Sequence, residues 1–424
     1  MSQSPSKAAD ALCPIPRNGL GSSFGTFPVL CVLLFLATAL TGIGLYDIPD
    51  VSIEGVSLLT LISGAAIAIQ VVYLWRITRS ARAMVPILIL VGGFFSLYVS
   101  SPVPAAMLCG TVFVMGAGST AVAVLPKEKL VCLPFLPLAA YALTALLSRD
   151  PLGALLVLIP WPAAVVLALS TRRSAEQEDG PNRVGVICAV SATMGLTLVA
   201  YGALALFRVL GTLEPAALDK ALETVREGIV QSFLAYEIPE GVDPELVDKW
   251  NSIMTYANLR EMVNSGFNLL PGVAIAAILM LVAACQAVQH AALRTFGYED
   301  SVTNRVKEFR MSLVACIVFL VAYLLVFLEN STISSLVGTV AQNVTIILLP
   351  GLALAGMLRA IRALTKKGAK GMGCLFFFII LIPCLLIVAP FVLAAVEVVG
   401  NISSAVAKLL NPPDDDDPFS KLNK

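Results

Sequence analysis

Charge is scarce in this chain and histidine is nearly absent. Of 424 residues only 13% are charged, and the single histidine is His290. The nine cysteines are scattered, mostly through apolar runs, with no CxxC pair and no metal-ligand spacing. They read as small buried residues and frame no disulfide scaffold. There is no GxxxxGKS or GxxxxGKT loop, so the chain carries no ATPase motor of its own. HExxH, GxSxG and paired intramembrane carboxylates are missing too, and Gly19, Gly21 and Gly25 lack dinucleotide spacing. No enzyme activity, cofactor or metal is expected. Lysine plus arginine and aspartate plus glutamate stand at 28 each, and topology explains where the positive charge falls, so a nucleic-acid partner has no support.

Apolar residues make up 58% of the sequence, and the mean hydropathy is +0.88. A soluble domain of this size could not hide so much apolar surface. A bilayer core needs roughly 20 apolar residues per helical crossing, and the chain supplies about eleven such runs. They are Phe27–Tyr46, Val56–Trp75, Met84–Val99, Pro102–Leu125, Leu130–Leu147, Pro151–Ser170, Val184–Leu206, Phe267–Ala292, Met311–Leu328, Ile333–Leu358 and Cys374–Val399. The fold class is therefore all-α, a polytopic membrane helix bundle in contact with the lipid bilayer.

Basic residues alternate between loops. Lys7 and Arg17, Arg76–Arg82, Lys127 and Lys129, Arg172–Arg183, Arg294–Arg310 and Arg359–Lys370 are rich in them, while Asp47–Glu54, Ser100–Pro102 and Glu329–Thr332 have none. The positive-inside rule then puts the N-terminus in the cytoplasm of a bacterial plasma membrane, and an odd count puts the C-terminus outside. Residues 1–26 read as a disordered cytoplasmic tail and 27–211 as an N-terminal bundle of about seven helices. Residues 266–400 read as a C-terminal bundle of about four helices. The acidic polar tail is 401–424, whose Asp414–Asp417 run is not spaced to enclose an ion.

Between the bundles, residues 212–265 form an extracytoplasmic insertion. Thr212 and Pro215, then Asp243 and Pro244, are cap-and-start signals. Leu218, Leu222, Val225, Ile229 and Phe233 repeat at helical spacing, as do Leu246, Trp250, Ile253, Met254 and Ala257. Two amphipathic helices are expected, about Pro215–Ala235 and Pro244–Val263, folded as a cap over the outer mouth of the bundle with their stripes covered. The face is acidic, which argues against anionic lipid. A docking surface for a partner or a gating lid is the other reading.

Polar residues inside the apolar runs are the candidate substrate contacts. Gln286, Gln289 and His290 share one face of the eighth crossing, with Gln70 at comparable depth in the second. Gln342 and Asn343 lie in the tenth run, and Glu397 and Asn401 near the outer end of the last. Intramembrane polar groups face the bundle interior, where they hydrogen-bond between helices or contact a solute. The substrate-binding set is Gln70, Gln286, Gln289, His290 and Asn343.

The order of features from Thr212 onward resembles the YybS-like family of predicted bacterial membrane proteins. An acidic amphipathic stretch precedes a crossing, a loop ends in "VKEFRMS" with Phe309 and Arg310, and the next helix reads "AQNVTIILLPGLALAGMLRAIR" with Asn343 and Gly356. The tail "NPPDDDDPF" departs from the family pattern. That family is similar in hydropathy to the substrate-binding membrane subunits of energy-coupling-factor vitamin transporters. The resemblance implies a transport-like role, binding or passing a small solute, with a partner membrane protein, an ATPase or an ion gradient supplying the energy. The alternative is an envelope scaffold or regulatory protein whose insertion docks a partner. A membrane-embedded transferase is third.

Overall fold

The structure, a computed structural model, describes residues 27–43, 52–53, 56–79, 103–124, 135–176, 183–212, 214–236, 244–295, 311–328, 335–366 and 389–410. The expected third crossing, Met84–Val99, the N-terminal tail 1–26 and residues 411–424 lie outside the described residues, whereas 401–410, expected as the start of a polar tail, are helical. The described residues are almost entirely helical. A two-residue antiparallel ladder, Ser52–Ile53 against Val56–Ser57, is the exception. Six helices among them are long and apolar enough to cross a membrane, and three shorter apolar helices accompany these. The expected count of eleven is not reached among them.

The chain forms two compact units. The first comprises Met1–Thr224 with Ala277–Thr303, and the second Val225–Ala276 with Asn304–Lys424. In the first, α1 (Phe27–Ile43), α2 (Leu58–Thr78) and α3 (Val103–Phe113) are followed by a π-helical turn, Val114–Gly118, and α4 (Ser119–Val124). Next come α5 (Phe135–Ser148), the short α6 (Pro151–Ala154), a 3-10 turn, α7 (Pro160–Glu176) and α8 (Arg183–Leu210). Pro151 and Pro160 start their helices where a missing N–H costs nothing. Leu34, Leu74, Phe113, Met115 and Leu167 are fully buried at the centre. Trp161 donates its indole N–H to Thr38 Oγ1 at 3.3 Å. An ion pair joins Asp150, ahead of α6, to Arg208, near the end of α8. It links two segments that the basic-loop pattern places on one side of the membrane.

The insertion helices are α9 (Pro215–Leu234) and α10 (Pro244–Ile253). The second stops ten residues short of expectation because a new helix starts at once. Thr255 accepts the Leu259 N–H on its C=O at 2.9 Å, and Asn258 Nδ2 reaches back to the C=O of Ile253 at 3.2 Å. Both ends of the break are thereby satisfied. The new helix, α11 (Tyr256–Thr295), runs 40 residues without interruption. The apolar stripe is not covered as expected. Val230 is buried, whereas Leu222, Val225, Phe233, Trp250 and Ile253 are exposed, Trp250 with the Tyr236 ring beside it at 6.1 Å.

The second unit contains the start of α11, then α12 (Leu313–Leu328), α13 (Ser335–Lys366) and α14 (Ala389–Leu410). Cys316, Phe319, Leu352, Ala394 and Val398 form its core. Helices α13 and α14 are parallel where they meet: Gly356 lies against the Leu393 carbonyl, and further along both helices Arg359 lies over Gly400. A Cβ at either glycine would collide. Of the expected final crossing, Cys374–Val399, residues 374–388 lie outside the described residues. The described helix starts at Ala389, with Pro390 in its first turn, and continues past Val399 to Leu410. Its C-terminal end points the same way as the basic end of α13. Single cysteines at Lys366 and Ala407 of a cysteine-free variant should therefore react with an impermeant reagent from the same side. Labelling from opposite sides would rule out the parallel pair.

Helices α9 and α11 are clasped within the second unit. Glu227 accepts hydrogen bonds from Gln231 Nε2 and from the Tyr256 hydroxyl, both at 2.8 Å. Arg260 donates to that hydroxyl at 2.9 Å, and Arg226 stands over the Phe267 ring at 5.1 Å. The Gln231 and Tyr256 donors, with the charge of Arg260, hold the Glu227 carboxyl below its ordinary 4.5. A lowered folded-state value means the clasp contributes fully above the ordinary carboxylate range and fades as pH falls through the folded value. In a carboxyl-carbon NMR titration Glu227 should show a midpoint under 4.5, and Tyr256→Phe should raise it. A midpoint at the free value in the native chain would show that the clasp does not form.

Candidate functional site

Four of the five sequence-predicted residues lie in the first unit. Gln286 and Gln289, on α11, are 8% and 0% exposed, as their shared face requires, and His290 beside them is partly buried. Gln70, on α2, is 3% exposed, and its Oε1 has no hydrogen-bond partner among the described residues.

Sequence reasoning missed what lies against the residues beside the glutamines on α11. The π-helical turn Val114–Gly118 is wholly buried. A Cβ on Gly116 would stand 2.8 Å from Val288 Cγ1 and 3.8 Å from the Cys285 carbonyl, so only glycine allows this approach. The turn of α11 that carries Gln286 and Gln289 is therefore seated on a π-turn. The Gly116 carbonyl also accepts hydrogen bonds from Ser119 Oγ at 3.1 Å and Thr120 Oγ1 at 2.7 Å, both buried. A single π-turn inside α-helix is uncommon and recurs at functional sites. The signal present in the sequence was "GAGST", small residues and two hydroxyls inside an apolar run. A cavity of about 350 Å³ elsewhere on this unit is lined by Leu33, Ala68, Ile69, Val72, Tyr73 and Arg76, and none of the predicted residues lines it.

The fifth predicted residue, Asn343, lies in the second unit. Its Oδ1 accepts the Gly272 N–H at 2.6 Å, and its Nδ2 donates to the carbonyls of Asn268 and Thr339, each at 2.8 Å. The carboxamide braces two helices.

The second unit also holds a charged cluster. Glu397 is completely buried. Its Oε2 accepts Arg359 Nε at 2.8 Å, while Oε1 accepts the Met311 N–H at 3.2 Å and Asn401 Nδ2 at 3.1 Å. Asn401 accepts Arg359 Nη2 at 2.7 Å and donates to the Met311 carbonyl at 2.9 Å. By sequence Glu397 and Asn401 belong near the outer end of a crossing, while Arg359 is a loop charge. The structure brings them to one level, because α14 runs parallel to α13 and the start of α12 meets both. A lone acid in an apolar run requires a cation, and that was the usable signal.

Burying an ion costs several kcal/mol, and removing one partner of such a pair typically costs about 3–5 kcal/mol. Glu397→Ala should lose about that much in denaturation measured in micelles, while Glu397→Met with Arg359→Met together should recover most of it. A loss below about 1 kcal/mol for Glu397→Ala, the range of an exposed pair, would show that the cluster is hydrated.

The profile of a family described as Predicted membrane protein (DUF2232) matches residues 131–402, well over half of the chain. The matched stretch includes Gln286–His290, Asn343, Arg359, Glu397 and Asn401, and excludes Gln70 and the π-turn. No curated protein and no solved structure matches the chain.

Proposed function

We propose that this chain, which belongs to the DUF2232 family of predicted membrane proteins, has a transport-like role: it binds or passes a small solute. The observation that carries this reading is the buried polar patch of the first unit. Gln286 and Gln289 are buried within an apolar helix whose Cys285 and Val288 meet the π-turn, and Gln70 in the same unit has an unsatisfied oxygen. Polar groups without partners are costly in a membrane, and intramembrane polar residues that persist there mark solute pathways. In this reading Gln70, Gln286, Gln289 and His290 contact the solute, and Asn343 acts at a distance from it. The YybS-like resemblance and its likeness to energy-coupling-factor subunits favour a partner ATPase as the source of energy. The basic-loop pattern favours a bacterial plasma membrane, with the N-terminus in the cytoplasm and residues 212–265 outside. No chemical step is assigned.

The test is accumulation of a panel of radiolabelled vitamins, nucleosides and amino acids by cells carrying the native chain. At least one solute should accumulate above the empty-vector level. Gln289→Leu should lower that accumulation roughly tenfold, a loss of about 1.4 kcal/mol in solute interaction, with the melting temperature nearly unchanged. Melting and accumulation falling together would make the patch structural, and accumulation of nothing in the panel would count against transport.

A second reading, the docking scaffold, is favoured by the length of α11. Its 40 residues rise about 60 Å, twice the hydrocarbon thickness of about 30 Å. The surplus is at the Tyr256 end, where Arg260, Glu261, Asn264 and Asn268 interrupt the apolar sequence. The open stripe on α9 and α10 is thus joined to a helix that projects from the membrane. Serines at Leu222, Val225 and Phe233 should leave solute accumulation intact if the stripe serves only to dock a partner, and shift the size of the native complex in gentle detergent.

A further inference from the structure

The hydrogen bonds of Asn343 go to two groups that belong to each other. In an unbroken α-helix the N–H of residue 272 bonds to the carbonyl of residue 268. Here Asn343 Nδ2 donates to the Asn268 carbonyl at 2.8 Å and Oδ1 accepts the Gly272 N–H at 2.6 Å. A side-chain amide from α13 thus engages both the donor and the acceptor of one rung of α11. The adjacent rung is missing for another reason: Pro271 has no N–H to give the Phe267 carbonyl. The amide and the proline thus fall on adjacent rungs of α11. Prolines and side chains inserted into the ladder are the usual causes of a sharp bend. Gly272 is what admits the amide, since a Cβ there would lie 2.6 Å from Asn343 Oδ1 and 3.0 Å from its Cα.

We infer that Asn343 is a releasable latch, and that α11 has two forms. In the latched form the amide bridges Asn268 and Gly272 and the helix is bent at Pro271. In the released form Asn343 withdraws, Gly272 donates directly to Asn268, and α11 straightens. The exchange keeps both backbone groups satisfied throughout, which a membrane interior demands. Asn343 keeps a bond to Thr339 on its own helix at 2.8 Å, so release does not strand its amide. Interhelical hydrogen bonds in membranes are individually weak, which makes such a latch reversible. The device lies beyond the solute-binding reading, because none of its residues belongs to the glutamine patch.

Spin labels at Glu261 and Ala287, both exposed and both on α11, flank the latch in purified protein in nanodiscs. The native chain should give two distances, and Asn343→Leu should leave the longer one. Hydrogen exchange at the Gly272 amide should become slower in Asn343→Leu, because the backbone bond closes. A static brace predicts the reverse, a faster exchange. Gly272→Ala expels the amide from the other side and should reproduce the long distance if Asn343→Leu fails to fold. A single distance in the native chain, an unchanged distance in both variants, or faster exchange at Gly272 overturns the proposal.

Discussion

A carboxylate in hydrocarbon has to be supplied with its solvation by the protein, and Glu397 is where the second unit meets that demand. Its two oxygens take a guanidinium N–H from α13, a backbone N–H from the start of α12 and a side-chain amide from α14. None of the three donors suffices alone. Together they require that the start of α12, the last turns of α13 and the middle of α14 stand at one level. The glycines follow from the same requirement, since Arg359 can lie over α14 only where Gly400 has no side chain. The apolar core of Cys316, Phe319, Leu352 and Ala394 fills the space that this arrangement leaves.

The first unit solves a milder version of the problem. Its buried polar groups are neutral, and the hydroxyls of Thr38, Thr78, Thr144, Ser119 and Thr120 are spent on carbonyls three or four residues earlier in their own helices. Such bonds need no second helix. Which helix packs on which is set by Trp161 donating to Thr38 and by shape: Gly116 against Val288, and Phe113 with Leu34 and Leu74. Gln70 has no comparable local solution, and its Oε1 finds no partner among the described residues. It is a side chain whose presence the packing alone does not explain.

Much of the fold was legible, and the reason is physical. Apolar runs, proline starts at Pro151, Pro215 and Pro244, and the i, i+3 face of Gln286 and Gln289 are local properties, and local properties survive into the structure. What was not legible depends on pairing at a distance in sequence. Arg359 has the composition of a loop charge, and only the parallel course of α14 brings it to Glu397. Asn343 has the composition of a solute contact, yet its amide is engaged by Asn268 and Gly272, more than 70 positions away. The end of α10 was missed because Thr255 and Asn258 cap a break inside what is otherwise a continuous amphipathic stripe. The π-turn was missed because one extra residue in a helix leaves no mark on a run of small and apolar residues.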